Sequence, residues 1–307
     1  MSEIDLVFRN KVHAILKLQV RNAFGDITKE TEWFNNLVLD QGLNLMATGF
    51  WFNACQVGTG NSPPHRGQTG LDNLLATSTT VVSEANGAAA AAPYYKWTRK
   101  TFRFSAGTAA GNLSEVSVCG DNYPNKTSWN RALIKDNTGN PITVTVLPTE
   151  TLDVIVEMRM HIDATDKIGD IDFGNGVVRQ YTLRPMLISS MVASTIHNQG
   201  LGFNSPTGRY TLCYTGGISD TTGRPSGQIG TGDASSHSAH SYIQNSYRMA
   251  CTSKFNPGVA TGNIRSLSLE WPNACFYQLE FDSPITKTAT HELSITTEIS
   301  WDRYEPT

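Results

Sequence analysis

The chain has 307 residues, 39% of them hydrophobic and 17% charged, with a formal net charge of −3. The length suits two domains of ordinary size. The near-neutral charge supplies no basic field to hold phosphates, so nucleic acid is not an expected partner.

No segment approaches the 18 uninterrupted apolar residues that a membrane-spanning helix needs, so no membrane association is expected. The start, Met1 to Leu6, lacks a basic region followed by an apolar run, and no secretory signal is expected. Five cysteines (Cys55, Cys119, Cys213, Cys251 and Cys275) are an odd count without a C-x-x-C pair, which points to reduced thiols and synthesis in a cytosol. Abundant Gly, Ser, Thr and Asn favour strands and turns over long helices.

In chain order, Ile15 to Arg21 alternates as a half-buried strand, and Gly25-Asp26 turns it back through Ile27 to Trp33. Leu39, Leu43 and Met46 fall at helical spacing, which predicts a short helix near 40–48 with Asp40 as its cap. Phe50 to Val57 reads as a buried strand, Gly58 to Pro64 as a loop, and Leu71 to Ala76 as a helical turn. Residues 83–93 read as a Gly/Ala-rich loop. Tyr94–Phe104, Leu113–Val118, Arg131–Lys135, Ile142–Val146 and Leu152–Met158 all read as strands, with a hairpin turn at Asp136–Asn140. The acidic stretch from Asp163 to Asp172 reads as an inter-domain connection, and strand-like sequence resumes from Val177 to Ile188.

One signature occurs twice. Phe104, Gly107, Gly111 and Asn112 recur as Phe255, Gly258, Gly262 and Asn263, each 151 residues further on, and both copies continue into an aliphatic strand. Other landmarks recur in the same order. Gln41-Gly42-Leu43, Cys55 and Gly58 reappear at an offset of 158 as Gln199-Gly200-Leu201, Cys213 and Gly216. Pro141-Ile142-Thr143 reappears at 143 as Pro284-Ile285-Thr286, and Leu152, Val154 and Met158 at 141 as Leu293, Ile295 and Ile299. A steadily falling offset is what a duplicated domain gives when its second copy has shorter loops. The expected fold is therefore all-β: two tandem, duplicated, jelly-roll-like β-sandwich domains with short helical turns, spanning 1–165 and 166–307. Within the motif, Phe closes one strand in the core, the glycines make the corner and Asn can bond its own backbone.

Patterns that carry chemistry are lacking. No phosphate-binding loop, zinc-protease helix, nucleophile elbow or dinucleotide fingerprint is found, and no catalytic residue, cofactor or metal is expected. Gly227-Gln-Ile-Gly230-Thr-Gly232 reads as a flexible loop. His237 and His240 lie in a Ser/Ala/Gly-rich stretch with Asp233 as the sole nearby acid, and read as solvated. Asp163, Asp166, Asp170 and Asp172 lack the glycine and terminal glutamate of a calcium hand. Asn112-Leu-Ser and Asn125-Lys-Thr have the form of glycosylation sequons, without a signal to expose them. The tryptophans Trp33, Trp51, Trp97, Trp129, Trp271 and Trp301 read as core and interface anchors.

The ordered set Phe34–Leu43, Gln56-Val-Gly-Thr-Gly-Asn61, Phe102–Val116 and Arg131–Lys135 resembles virion proteins of tailed bacteriophages. The resemblance covers about residues 13–160. The second half departs from it, with Arg265-Ser266 where the first has Ser114-Glu115, and Gly216-Gly217 in place of Gly58-Thr-Gly60. The resemblance implies a non-enzymatic structural component of the virion, made in the host cytoplasm. Such a component would be an adaptor, collar, baseplate or fibre-attachment protein that joins other virion proteins as a symmetric homo-oligomer. Under it the long stretch Gly216 to Ser241 would project. A capsid-decorating protein is a related role. A carbohydrate-binding or depolymerising tail protein is a role of another class, and since such surfaces leave no local pattern, a host-surface glycan stays among the partner classes. A depolymerase needs two carboxyls at a set separation, and nothing in the sequence pairs Glu115 with Asp121.

Overall fold

The computed structural model describes residues 6–120, 127–174, 176–187, 201, 210–230, 233–271 and 276–305. Strand makes up 55% of the chain and helix 3%, which makes the fold all-β. The described strands of the first half are β1 (Leu6–Arg21), β2 (Ile27–Glu30), β3 (Phe34–Asn35), β4 (Leu37–Val38), β5 (Ala54–Gly58), β6 (Leu74–Ser78), β7 (Val81–Ala88), β8 (Tyr95–Phe104), β9 (Gly111–Leu113), β10 (Glu115–Cys119), β11 (Asn130–Leu133), β12 (Val144–Val146) and β13 (Thr151–Ile162). Those of the second are β14 (Lys167–Asp172), β15 (Val178–Met186), β16 (Tyr210–Tyr214), β17 (Ser236–Ala239), β18 (Arg248–Phe255), β19 (Gly262–Glu270), β20 (Phe276–Lys287) and β21 (Leu293–Arg303). Helix α1 spans Asp40–Thr48.

β1 is the spine. Leu6, Phe8, Val12, Ala14, Leu16, Leu18 and Val20 all point inward at period two. The strand lies at the middle of the largest sheet, of order β17-β18-β21-β1-β13-β8-β7. It pairs antiparallel with β13 from Asn10↔Ile162 to Arg21↔Thr151. It pairs parallel with β21 from Leu6↔Thr297 to Val12↔Arg303. First-half and second-half strands thus form one continuous sheet, joined through β1. Two five-stranded sheets, β4-β11-β10-β5-β6 and β14-β15-β20-β19-β16, and the ribbon β12-β9 complete the layers. A single core takes Phe102, Phe104 and Val154 from the large sheet, Val57 and Val116 from the first small sheet, and Leu267 and Leu279 from the second.

The seam between the halves is densely bonded. Phe8 stacks on Tyr277 with ring centroids 4.3 Å apart. Trp301 Nε1 donates to the Leu43 carbonyl at 2.8 Å, and Arg303 pairs with Asp40. His13 and His161 face each other with ring nitrogens 3.2 Å apart, and Tyr304 stacks on His161 at 3.8 Å. Burial, followed by the neighbouring Arg159 charge, pushes His13 down to about 4. Burial, then His13 and Arg159, push His161 down to about 3.

Several sequence expectations need correction. Leu71–Ala76 holds no helical turn; β6 occupies Leu74–Ser78, paired to β5 with a bulge. Residues 83–88 are strand β7, not loop. Every residue from Val81 to Gly87 except that last glycine is exposed, so no buried face announces the strand. Gly87 lies flat on the Trp97 ring, where a Cβ would sit 2.6 Å from Cζ2. The acidic stretch read as a connection contains β14, whose sole fully inward side chain is Ile171. The buried strand begins at Ala54 rather than Phe50, which is 55% exposed with φ of 57°. Asp40 is not the helix cap: Leu39 holds that position without a side-chain bond, and the Asp40 carboxylate serves Arg303.

Candidate functional site

The inner strands of the first small sheet, β5, β10 and β11, are buried on both faces, although their sequences are not uniformly apolar. Cys55, Val57, Val116 and Val118 face the core. Gln56, Glu115 and Ser117 alternate onto the opposite face, which Arg131 shares. That face is roofed by residues 59–73. Helix α1 meets the chain just before β11, where a Cβ at Gly42 would collide with the Trp129 carbonyl.

Glu115 and Arg131 are both 0% exposed and form the centre of this face. Glu115 Oε1 accepts the Gly60 amide at 2.9 Å and the Asn73 amide at 2.8 Å. Oε2 accepts the Asp72 amide at 3.0 Å and Arg131 Nε at 2.9 Å. Arg131 reaches onward to Asp72 Oδ2 at 2.7 Å and Gln68 Oε1 at 3.0 Å. Bonds from Ser62, and then from Arg131, hold the Asp72 carboxyl below the usual carboxylate range. A buried charge survives only when it is paired and its remaining lone pairs are satisfied, and both conditions are met here. The same carboxylate and the loop it holds explain two glycines. A Cβ at Gly58 would lie 2.4 Å from the Asn73 carbonyl and 2.6 Å from Glu115 Oε1, and one at Gly60 2.4 Å from Asp72 Cβ and 2.5 Å from Glu115 Oε1. Glu115, Arg131 and the Gly58-Thr-Gly60 run, scattered in sequence, are one clamp that closes the 59–73 segment and leaves Asn61, Ser62 and Pro63 exposed. Its polar valences are spent on structure. Asp72, Gln68 and Ser62 carry no sequence signal, because loop residues that bind a distant side chain leave no period or spacing.

The second half builds the same corner with other atoms. Ser266 stands near Gly216 and donates Oγ to its carbonyl at 2.6 Å. The segment after Gly216 is held from β20 instead: Gln278 Oε1 accepts the Ser219 amide at 2.8 Å, and Glu280, whose Oε1 accepts Arg265 Nε at 2.9 Å, accepts the Ile218 amide on Oε2 at 3.4 Å. The described part of Gly216–Ser241 is laced to the body by these bonds and by the Arg224–Glu270 pair at 2.8 Å. Gln199 and Gly200 lie outside the described residues.

The repeat residues occupy matched places. Phe104 pairs with Leu152 and Phe255 with Leu293, and both rings are buried. Gly107 and Gly258 have φ of 83° and 82°, a left-handed turn that a side chain would strain. Gly111 and Gly262 have φ of 152° and 140°. Asn112 Oδ1 accepts Thr145 Oγ1 at 2.8 Å, and Asn263 Oδ1 accepts Thr286 Oγ1 at 2.8 Å. The residues do not converge on one site; they form two corners of hydrogen-bonded geometry.

Comparisons with family models, with curated proteins and with solved structures found no match.

One catalytic-looking constellation remains. Ser253 Oγ lies 2.9 Å from His237 Nδ1, and His237 Nε2 lies 2.7 Å from Asp233 Oδ2. His237 is on β17, paired directly across from Ser253, rather than in the solvated loop expected for it. Nucleophilic catalysis requires an accessible hydroxyl, whereas Ser253 is 4% exposed and also bonded to Thr211 Oγ1 at 2.9 Å. Asp233 in turn accepts the Thr211 amide at 2.6 Å. The set anchors the edge strand. Of the four acids read as linker charges, Asp166 pairs with Arg184 and Asp163 with Lys167.

Proposed function

We propose that this chain is a non-enzymatic structural component of a tailed-phage particle, an adaptor, collar or fibre-attachment protein located in the virion. We further propose that its halves, 1–165 and 166–307, are duplicated jelly-roll-like sandwiches. The matched registers Phe104↔Leu152 and Phe255↔Leu293, with the paired Asn–Thr bonds, support the duplication. The observation that carries the functional reading is the Glu115–Arg131 clamp, a buried ion pair devoted to fixing a loop for display. Preorganised loops on a rigid sheet suit a protein that joins fixed neighbours.

Assembly proceeds through sheet edges. The large sheet ends in β7, an eight-residue strand carrying exposed Val81 and Val82 and no lysine or proline to blunt it. Exposed Leu74 and Leu75 on β6, the edge of the first small sheet, add to this edge surface. Light scattering on the pure protein should give a closed symmetric oligomer that Val82→Lys dissociates. Mass spectrometry and cryo-EM of purified particles should find the chain at a fixed stoichiometry and place it at the tail, neck or baseplate. Placement on the capsid surface would favour the decorating role. Absence from particles would overturn the reading.

A further inference from the structure

A groove in the second half opens beside the Asn263–Thr286 corner. It encloses about 1240 Å³ and opens to solvent between the β14–β15 turn, the end of β20 and the start of β21. Thr252 and Thr296 are cross-strand partners whose hydroxyls lie 2.9 Å apart, and His240 Nε2 adds a third polar group 3.1 Å from Thr252 Oγ1. Exposed Val177 and the side chains of Ile285 and Leu293 supply apolar wall.

The charges of the groove are unevenly committed. Glu292 is paired with Lys254 at 2.8 Å, and Asp172 accepts the Gly174 amide at 2.7 Å. Lys287 donates to the Asn256 carbonyl at 2.9 Å. Arg179 differs. Its Nη1 bonds just the adjacent Val178 carbonyl at 2.8 Å, and no carboxylate among the described residues pairs with it. A guanidinium whose terminal N–H groups face a groove without a carboxylate partner is prepared for one.

We propose that this groove binds an acidic oligosaccharide, with a sugar carboxylate on Arg179, ring hydroxyls on Thr252, Thr296 and His240, and a ring face against Val177. Hydroxyl and imidazole groups beside short apolar walls match the mixed polar and C–H surface of a sugar. An acidic peptide would ask for an open backbone edge. At Thr252, β18 is hydrogen-bonded to β17 on one side and β21 on the other and offers none. The inference stands on the groove alone and does not depend on the particle reading.

The test is calorimetric titration, with amide chemical shifts, of the full chain against oligogalacturonate, oligomannuronate, sialyllactose, neutral galactotetraose and tetraglutamate. At least one acidic sugar should bind about tenfold or more tighter than galactotetraose and tetraglutamate, with shifts centred on Thr252 and Thr296. Arg179→Gln should weaken it by about tenfold or more, the effect of losing a charge-assisted hydrogen-bond pair. Thr252→Val should weaken it by a smaller factor, and both variants should keep the wild-type melting temperature. No binding by any of the three acidic sugars overturns the proposal. So does equal binding of the neutral sugar, tighter binding of tetraglutamate, or an affinity that Arg179→Gln leaves unchanged in a folded protein.

Discussion

The corner after Gly58 and the corner after Gly216 perform one task with different chemistry. In the first half, Glu115 projects from β10 into a dry layer and binds three backbone amides and Arg131 at 0% exposure. In the second, Ser266 carries no charge, and the loop is held from β20 by Gln278 and, through the Ile218 amide, by Glu280, whose pair with Arg265 is 25% and 33% exposed. The difference teaches where specificity is stored. A buried ion pair is costly unless complete, so the first corner is held in one arrangement. A half-wet pair tolerates adjustment.

The largest expected effect breaks the first corner alone. Glu115→Ala strands a buried guanidinium and should destabilise the chain by about 3–5 kcal/mol in urea unfolding. Adding Arg131→Met should cost much less than the sum of the two single changes. Glu280→Ala should cost about 0–1 kcal/mol, as a partly exposed pair does. Equal losses at Glu115 and Glu280 would show the contrast to be wrong. Hydrogen exchange adds the location: the Glu115 variant should lose protection over 59–73 before β8 or β13 does.

A second effect concerns the seam that joins the halves. His13 and His161 have folded values of about 4 and about 3, against 6.5 for the unfolded chain. Between those limits the unfolded state binds more protons, so stability rises with pH through the window. It is fully present above about pH 6.5 and is lost as the pH falls toward 3, by an amount on the order of a few kcal/mol. Melting temperature measured from pH 7 to pH 4 should fall, and His161→Phe should flatten the slope. A slope unchanged in that variant would place the acid sensitivity elsewhere.

How much of this was readable from sequence depends on which atoms hold each feature. Strands with one buried face, such as Leu152–Met158 and Tyr94–Phe104, show themselves by alternation. β7 and β14 do not, because pairing with a neighbour alone makes them strands and their side chains face water or fit a single inward Ile171. The repeated Phe-Gly-Gly-Asn corner was readable since its geometry demands those residue types locally. Glu115 was visible as the place where the two copies differ. Its partners at Ser62, Gln68 and Asp72 were not, and neither was the pairing of His237 with Ser253, because each contact spans a distance that no local period encodes.

The two glycine corners give a finer comparison. A Cβ at Gly60 would press on the Glu115 carboxylate, which is fully buried and locked by four bonds, whereas one at Gly217 would lie 2.8 Å from Glu280 Oε1, the end of a partly exposed side chain with fewer bonds. Gly60→Ala should cost about 1–3 kcal/mol, as overpacking does, and Gly217→Ala clearly less. Matching losses would mean that the second clamp is as rigid as the first.

The smallest effects probe what the halves share. Asn112 and Asn263 each accept a threonine hydroxyl at 2.8 Å, from Thr145 and Thr286, beside glycines of nearly equal φ. These bonds are exposed, so each is worth only about 0.5–1.5 kcal/mol, and Asn112→Ala and Asn263→Ala should fall within that range. The informative quantity is their difference. If one backbone corner underlies both copies, the losses agree, and Thr145→Val and Thr286→Val reproduce them in the same rank. A measurable cost on one side with none on the other would mean that the corners share a sequence without sharing an energetic role. The contrast between Glu115 and Ser266 would then compare unrelated loops.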